Sequence, residues 1–271
     1  MGNENMGMST ALMTSSAVIA ALRDCRRQDP FTPLRDSLLL GFDTETTGLS
    51  SSDAIVSAAL VLRTPAAGRD GDAALSWTIN PHRPLSPAAA AVNGFTDEEL
   101  RRCGMEPQDA LDTIAAIIAL AQSQNIPLLA YNAPFDVRML RNDLRRWHLP
   151  TVADRLAGAD DLFNDLDTVA SVPLVISSEN PLVVDPLVLD RAVSDRDERR
   201  RLEDTAFYYG VSPRGDFHDA TIDAIAAMDV LASLCRLYPD VGSLPLTEVG
   251  AWEWDTCQRY ERRQGCRRSY R

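Results

Sequence analysis

The sequence predicts a mixed α/β fold, one sheet of five strands flanked by helices. Two observations carry this. The first is an opening run of three strand-like segments joined by short, turn-rich stretches, which makes them antiparallel neighbours. The second is that strand-like and helix-like segments alternate after it. The 271 residues suit one domain or one and a half. With 45% hydrophobic and 24% charged residues, the composition sets aside disorder, collagen and coiled coil as overall classes.

Residues 1–9 read as disordered and 10–28 as a helix, together an N-terminal extension over residues 1–35 that Pro30 and Pro33 close. The apolar run from Leu38 to Phe42 is a buried strand that ends at Asp43, and Gly48 breaks it. Asp53 to Leu62 and Leu75 to Ile79 are the next two strands. Helices are expected over 96–101 and 107–122, the latter with Leu111, Ile114, Ile118 and Ala121 as its apolar stripe. Leu128 to Tyr131 is a short strand. Pro134 suits the first position of the following helix, where its missing donor is not needed. Residues 150–180, with Asp160, Asp161, Asp165 and Asp167, read as an inserted acidic loop within a core domain spanning 36–240. Leu182 to Val184 returns to strand character, and helices are expected over 197–209, 219–237 and 246–262. Residues 241–271 form a C-terminal helix and an Arg-rich tail.

The charge balance, 27 basic against 39 acidic residues and net -12, excludes a broad basic surface as the means of holding nucleic acid. Any nucleic acid must be gripped locally, with help from divalent cations. All the basic residues are arginine, so a lysine nucleophile and a P-loop lysine are excluded. The five cysteines form no CxxC pair and read as reduced thiols, pointing to a cytoplasmic protein. No apolar run reaches the roughly 18 residues of a membrane span, so no membrane partner is expected.

Three segments carry chemistry. Asp43 and Glu45 stand two apart at a strand end, so their side chains share one face. Two carboxylates aimed at one spot call for a cation, and hard divalent ions suit oxygen ligands; in isolation, the pair reads as a strand running into a polar turn. Asp136 follows a second strand, in the first turn of a helix, where an acid also favours the macrodipole. Asp223 shares a helix stripe with Ala227, Val230 and Leu234, and a carboxylate on a core-facing stripe needs a partner. His218 precedes that helix, with Asp219 the competing candidate as its cap.

Taken in order, Phe42-Asp43-Thr44-Glu45-Thr46-Thr47-Gly48, Asn132 to Asp136, and His218 to Asp223 resemble the three motifs of the DEDDh exonucleases. The likeness is greatest to the proofreading epsilon subunit of bacterial DNA polymerase III. It covers roughly residues 36–238 and implies a ribonuclease H-like fold and a 3′–5′ exonuclease acting on DNA. It departs from the family at Asn93, where histidine is frequent, at Ser57, where an acid is frequent, and at Tyr131, which replaces a common histidine.

The resemblance implies a two-metal mechanism, with ions about 3.5–4 Å apart. Asp43, Glu45 and Asp223 would hold one Mg²⁺, and Asp43 would bridge to a second that Asp136 supports; Mn²⁺ is expected to substitute. His218 is the expected general base. Thr46, Thr47, Gly48, Val92, Asn93, Asn132 and Phe135 are the expected substrate contacts. Phe135 reads either as a base-stacking ring or as a core aromatic. The Arg199-Arg200-Arg201 run and Arg262, Arg263, Arg267 and Arg268 are candidates for phosphate contacts or plain solvated faces. The expected partner is a single-stranded or frayed 3′ end, with a polymerase or repair protein recruited through the termini. An exoribonuclease on short RNA and a non-catalytic, polymerase-associated module are the alternatives.

Overall fold

A computed structural model describes residues 11–12, 15–163 and 182–268. Strands β2 (Leu39–Thr46), β3 (Ile55–Arg63) and β4 (Ala73–Thr78) form an antiparallel meander, in register at Gly41 with Val61 and at Leu60 with Leu75. On the other side of β2 lie β5 (Leu128–Leu129) and then β6 (Val183–Val184), both parallel. These five strands are the mixed sheet the sequence predicts. A two-residue strand, β1 (Ala11–Leu12), adds a sixth at the far edge, parallel to β4.

Because β2 is central, both its faces are covered, which is why it reads as an unbroken apolar run. On one face Leu40, Phe42, Leu60, Leu75 and Trp77 pack against α1 (Ser15–Asp24), α4 (Pro107–Ser123) and α5 (Pro134–Arg146). On the other face Leu39, Val61 and Leu129 meet α7 (Pro186–Val193), α8 (Leu202–Tyr208), α9 (Ala220–Leu237) and α11 (Leu246–Arg268). Gly41 sets the approach of α9. A Cβ at that position would stand 2.7 Å from Met228 Sδ, so the absent side chain lets the helix lie directly on β2.

Several elements differ from the expectation. The N-terminal helix spans only Ser15–Asp24; its Val18 and Leu22 are buried in the layer that α4 anchors. The expected helix over 197–209 starts only at Leu202. Residues 194–201 are a loop instead, because Arg196 and Arg200 turn inward to the buried carboxylate of Asp190. Part of the expected acidic loop is helical, as α6 (Val152–Phe163). Thr151 and Asp154 form a reciprocal cap there: Thr151 N–H donates to Asp154 Oδ2 at 2.8 Å, and Asp154 N–H to Thr151 Oγ1 at 3.2 Å. The rest of that loop, residues 1–9 and the last residues of the tail lie outside the described residues. The helix expected over 96–101 is α3 (Asp97–Cys103). Among the described residues three further helices were not expected: α2 (Pro87–Asn93), α7 and α10 (Pro239–Gly242). Each is eight residues or shorter, too brief for a periodic stripe to show. Among the described residues no helix is long and apolar enough to cross a membrane.

Candidate active site

The site forms where β2 ends. Asp43 and Glu45 project from the face of β2 that α9 covers, opposite Ala59 and Ser57 of β3. The ladder shifts register after Glu45, and the chain turns. Thr46 and Thr47 are buried, and their hydroxyls serve the turn itself. Thr46 Oγ1 donates to the Gly48 carbonyl at 2.7 Å; Thr47 Oγ1 donates to Asp53 at 2.9 Å and accepts Ala54 N–H at 3.0 Å.

Asp223 reaches the same volume from the first turn of α9. It is 8% exposed, and its Oδ2 accepts the backbone N–H of His218 at 3.2 Å. Its Oδ1 is buried without a hydrogen-bond partner. Asp219 does cap α9, accepting N–H groups from Thr221 and Ile222. That cap leaves His218 free for the site, with its backbone in the left-handed region at φ 74°. Ligand atoms of Glu45, His218 and Asp223 all lie within 4.8 Å of one another.

Asp136 comes from the first turn of α5 and is 3% exposed. Thr44 Oγ1, from the alternate position of β2, donates to it at 2.6 Å. Thr44 went unnoticed in the sequence, although the period of two places it on the face opposite Asp43 and Glu45. Behind the Asn132-Ala133 loop stands Asp185, outside the expected site residues. It is buried, caps α7 through Leu187 N–H, and accepts the N–H groups of Asn132 and Ala133, each at 3.0 Å. The Asp-Pro pair at a helix start was its available signal.

Burial pushes all four acids in the protonated direction, and for Asp43 and Glu45 their neighbours add to it. Burial pushes Asp43 well above the usual carboxylate range, with Asp136, Asp223 and Glu45 adding to it. Burial, then Asp223 and Asp136, raise Glu45 to about 8. Burial lifts Asp136 to about 7 against the pull of the Thr44 hydroxyl. Burial also lifts Asp223 to about 6 against the His218 N–H. A converging set of oxygen donors, short of positive charge and with one orphaned buried oxygen, fits a divalent cation.

A cleft of about 440 Å³ opens beside this cluster, lined by Ser57, Val92, Asn93, Phe95, Phe217 and His218 among others. Val92 is half-exposed there, while Asn93 Nδ2 donates to the Thr46 carbonyl at 3.3 Å. Asn132 is exposed, with a left-handed backbone at φ 62°. Phe135 is partly buried, packed against the core layer of α4 with Arg138 5.6 Å over its ring. Of the arginine run, Arg200 is taken up by Asp190, and Arg201 pairs with Glu203 and Asp204. The side chains of Arg263, Arg267 and Arg268 lie outside the described residues.

Four carboxylates from three distant segments thus come together near the end of β2, beside an imidazole. The exonuclease family model matches residues 40–231, and the chain belongs to that family, the DEDD-type 3′–5′ exonucleases of its motifs. It is 27% identical over 228 residues to a DNA polymerase III subunit epsilon-like protein of Rhodobacter capsulatus; the match covers 81% of this chain and 26% of that protein. In fold it is similar to E. coli exonuclease I, both in complex with a dT13 oligonucleotide (TM-score 0.56) and in a zinc-bound complex with single-stranded DNA (TM-score 0.55). In each case identity is 19%, over 76% of this chain and 42% of the other. The chain thus spans well under two thirds of the length of either relative.

Proposed function

We propose that this protein is a divalent-metal-dependent 3′–5′ exonuclease that removes nucleoside 5′-monophosphates from the 3′ end of DNA. The observation that supports this most directly is the buried, unpartnered oxygen of Asp223, set with Glu45 and His218 inside one 4.8 Å cluster. Asp43, Glu45 and Asp223 would hold one cation, and Asp43 with Asp136 a second. When bound, Mg²⁺ would neutralise the phosphodiester and the developing charge on the leaving oxygen, and Mn²⁺ would substitute.

In this reading His218 takes the proton of the attacking water at a ring nitrogen. The water oxygen forms the new bond to phosphorus, the P–O3′ bond breaks, and the shortened strand keeps a 3′ hydroxyl. Thr44 fixes the orientation of Asp136. Val92 and Asn93 border the terminal nucleotide in the cleft beside His218, and the Thr46–Gly48 turn offers it backbone. Single-stranded or frayed DNA fits a cleft on a protein of net charge -12. The epsilon-like relative supports a polymerase or repair partner.

The test is end-labelled single-stranded, paired and mismatched DNA, with RNA of the same sequence, incubated with Mg²⁺ or with EDTA. Stepwise loss from the 3′ end of DNA is expected with Mg²⁺ alone. Asp43→Asn should abolish it, and His218→Ala should slow it by about 10²–10⁴-fold with the fold intact. RNA digested in preference to DNA would replace the DNA reading with the exoribonuclease one. Folded protein that leaves every 3′ end untouched with Mg²⁺ would overturn the enzyme reading.

A further inference from the structure

The C-terminal helix α11 lies beyond the residues the family model matches, yet it is built into the core. Leu246 and Val249 are buried, and Arg191 of α7 stands 4.4 Å over the ring of Tyr260. From this helix Glu253 Oε1 accepts the backbone N–H of Asp185 at 2.8 Å. Asp185 in turn receives Asn132 N–H on Oδ1 and Ala133 N–H on Oδ2. Asn132 is left-handed, a conformation that asparagine adopts more readily than most residues. Its carbonyl accepts Phe135 N–H, and the Ala133 carbonyl accepts Val137 N–H, so these residues set the first turn of α5 and with it Asp136.

We propose that Glu253 is a positioning residue for the second acidic motif, acting on Asp136 through Asp185 and the Asn132-Ala133 loop. This rests on the reading of Asp136 as a metal ligand. Removing the acceptor would strand the Asp185 N–H in a buried setting and free Asp185 to turn away from the loop. Residues that orient metal ligands from behind typically carry about 10–100-fold in activity or metal affinity.

The test uses the full chain with Glu253→Ala, Glu253→Met and Glu253→Gln, read by amide hydrogen exchange without metal and by kcat and KM with Mg²⁺. Methionine keeps the packing volume without the acceptor, and carries the test should the alanine variant not fold. Exchange at Asn132, Ala133 and Asp185 is expected to quicken about tenfold or more in the Met variant, with kcat down by about 10–100-fold and KM unchanged. Glutamine keeps an acceptor oxygen and is expected to restore both. Wild-type protection at Asn132 and Ala133 in the Met variant would overturn the proposal. So would a loss of protection spread evenly over the sheet, or a Gln variant that behaves like Met. Exchange needs no catalysis, so inactivity of the wild-type protein would count against the nuclease reading alone.

Discussion

Asp43, Glu45, Asp136 and Asp223 illustrate how a site can cost its fold stability. Each has its carboxyl pushed above the range it has in an unfolded chain, by burial first and, for Asp43 and Glu45, by its neighbours next. The folded, metal-free protein therefore holds more protons than the unfolded chain from about pH 4 upward. Stability from these groups is fully present below the unfolded values and is lost as pH rises through the folded ones, up to about 8 for Glu45. A divalent cation binds the ionised folded form and offsets that loss. The melting temperature in EDTA should fall between pH 5 and pH 8.5 on the order expected from such linkage, and the gain from Mg²⁺ should grow over the same interval. Glu45→Gln should flatten both trends. A Mg²⁺ gain of the same size at each pH would count against the cluster as the binding place.

At the scale of elements, the loop before α8 shows where charge overrides pattern. Asp190 is fully buried, and it collects Arg196, Arg200, the Tyr209 hydroxyl at 2.7 Å and the Ser194 hydroxyl at 2.9 Å. Tyr131, at the end of the strand leading to the second motif, reaches the same network through the Arg200 carbonyl and Thr205. Asp190→Ala would leave two mostly buried guanidinium groups unpaired. It should destabilise the protein by about 3–5 kcal/mol in urea titrations, whereas Arg201→Ala, at an exposed pair, should leave the midpoint nearly unchanged. This also explains what the sequence could disclose. The central strand, the long helices α4, α5 and α9, and the carboxylates at strand ends follow from periodicity and spacing. The 194–201 loop does not, because a run of arginines reads as a solvated helix face until its buried acceptor is known. Likewise Thr44, Asp185 and Glu253 act across the fold, through hydrogen bonds that local pattern does not encode. Gly41 belongs with them: Gly41→Ala would drive a Cβ against the Met228 side chain and force it to repack beneath α9. It should cost about 1–3 kcal/mol, read from the urea midpoint.

The molecule as a whole repels its proposed substrate. It carries a net charge of -12 with no lysine, and two of the arginines in its most basic run are engaged by its own acids. A phosphodiester brought to the end of β2 meets four carboxylates, and without cations that encounter is unfavourable at both long and short range. Substrate affinity should therefore depend on divalent ions before any chemistry takes place. A phosphorothioate single-stranded oligonucleotide, slow to cleave, separates the two stages. Its binding, followed by fluorescence anisotropy, should be at least about tenfold weaker in EDTA than in Mg²⁺, a difference of roughly 1.4 kcal/mol or more. Asp43→Asn and Glu45→Gln together should narrow that gap by removing charge from the cluster. Equal affinity with and without Mg²⁺ would mean that the strand is held by arginines away from the carboxylates. The cations would then serve the hydrolytic step alone.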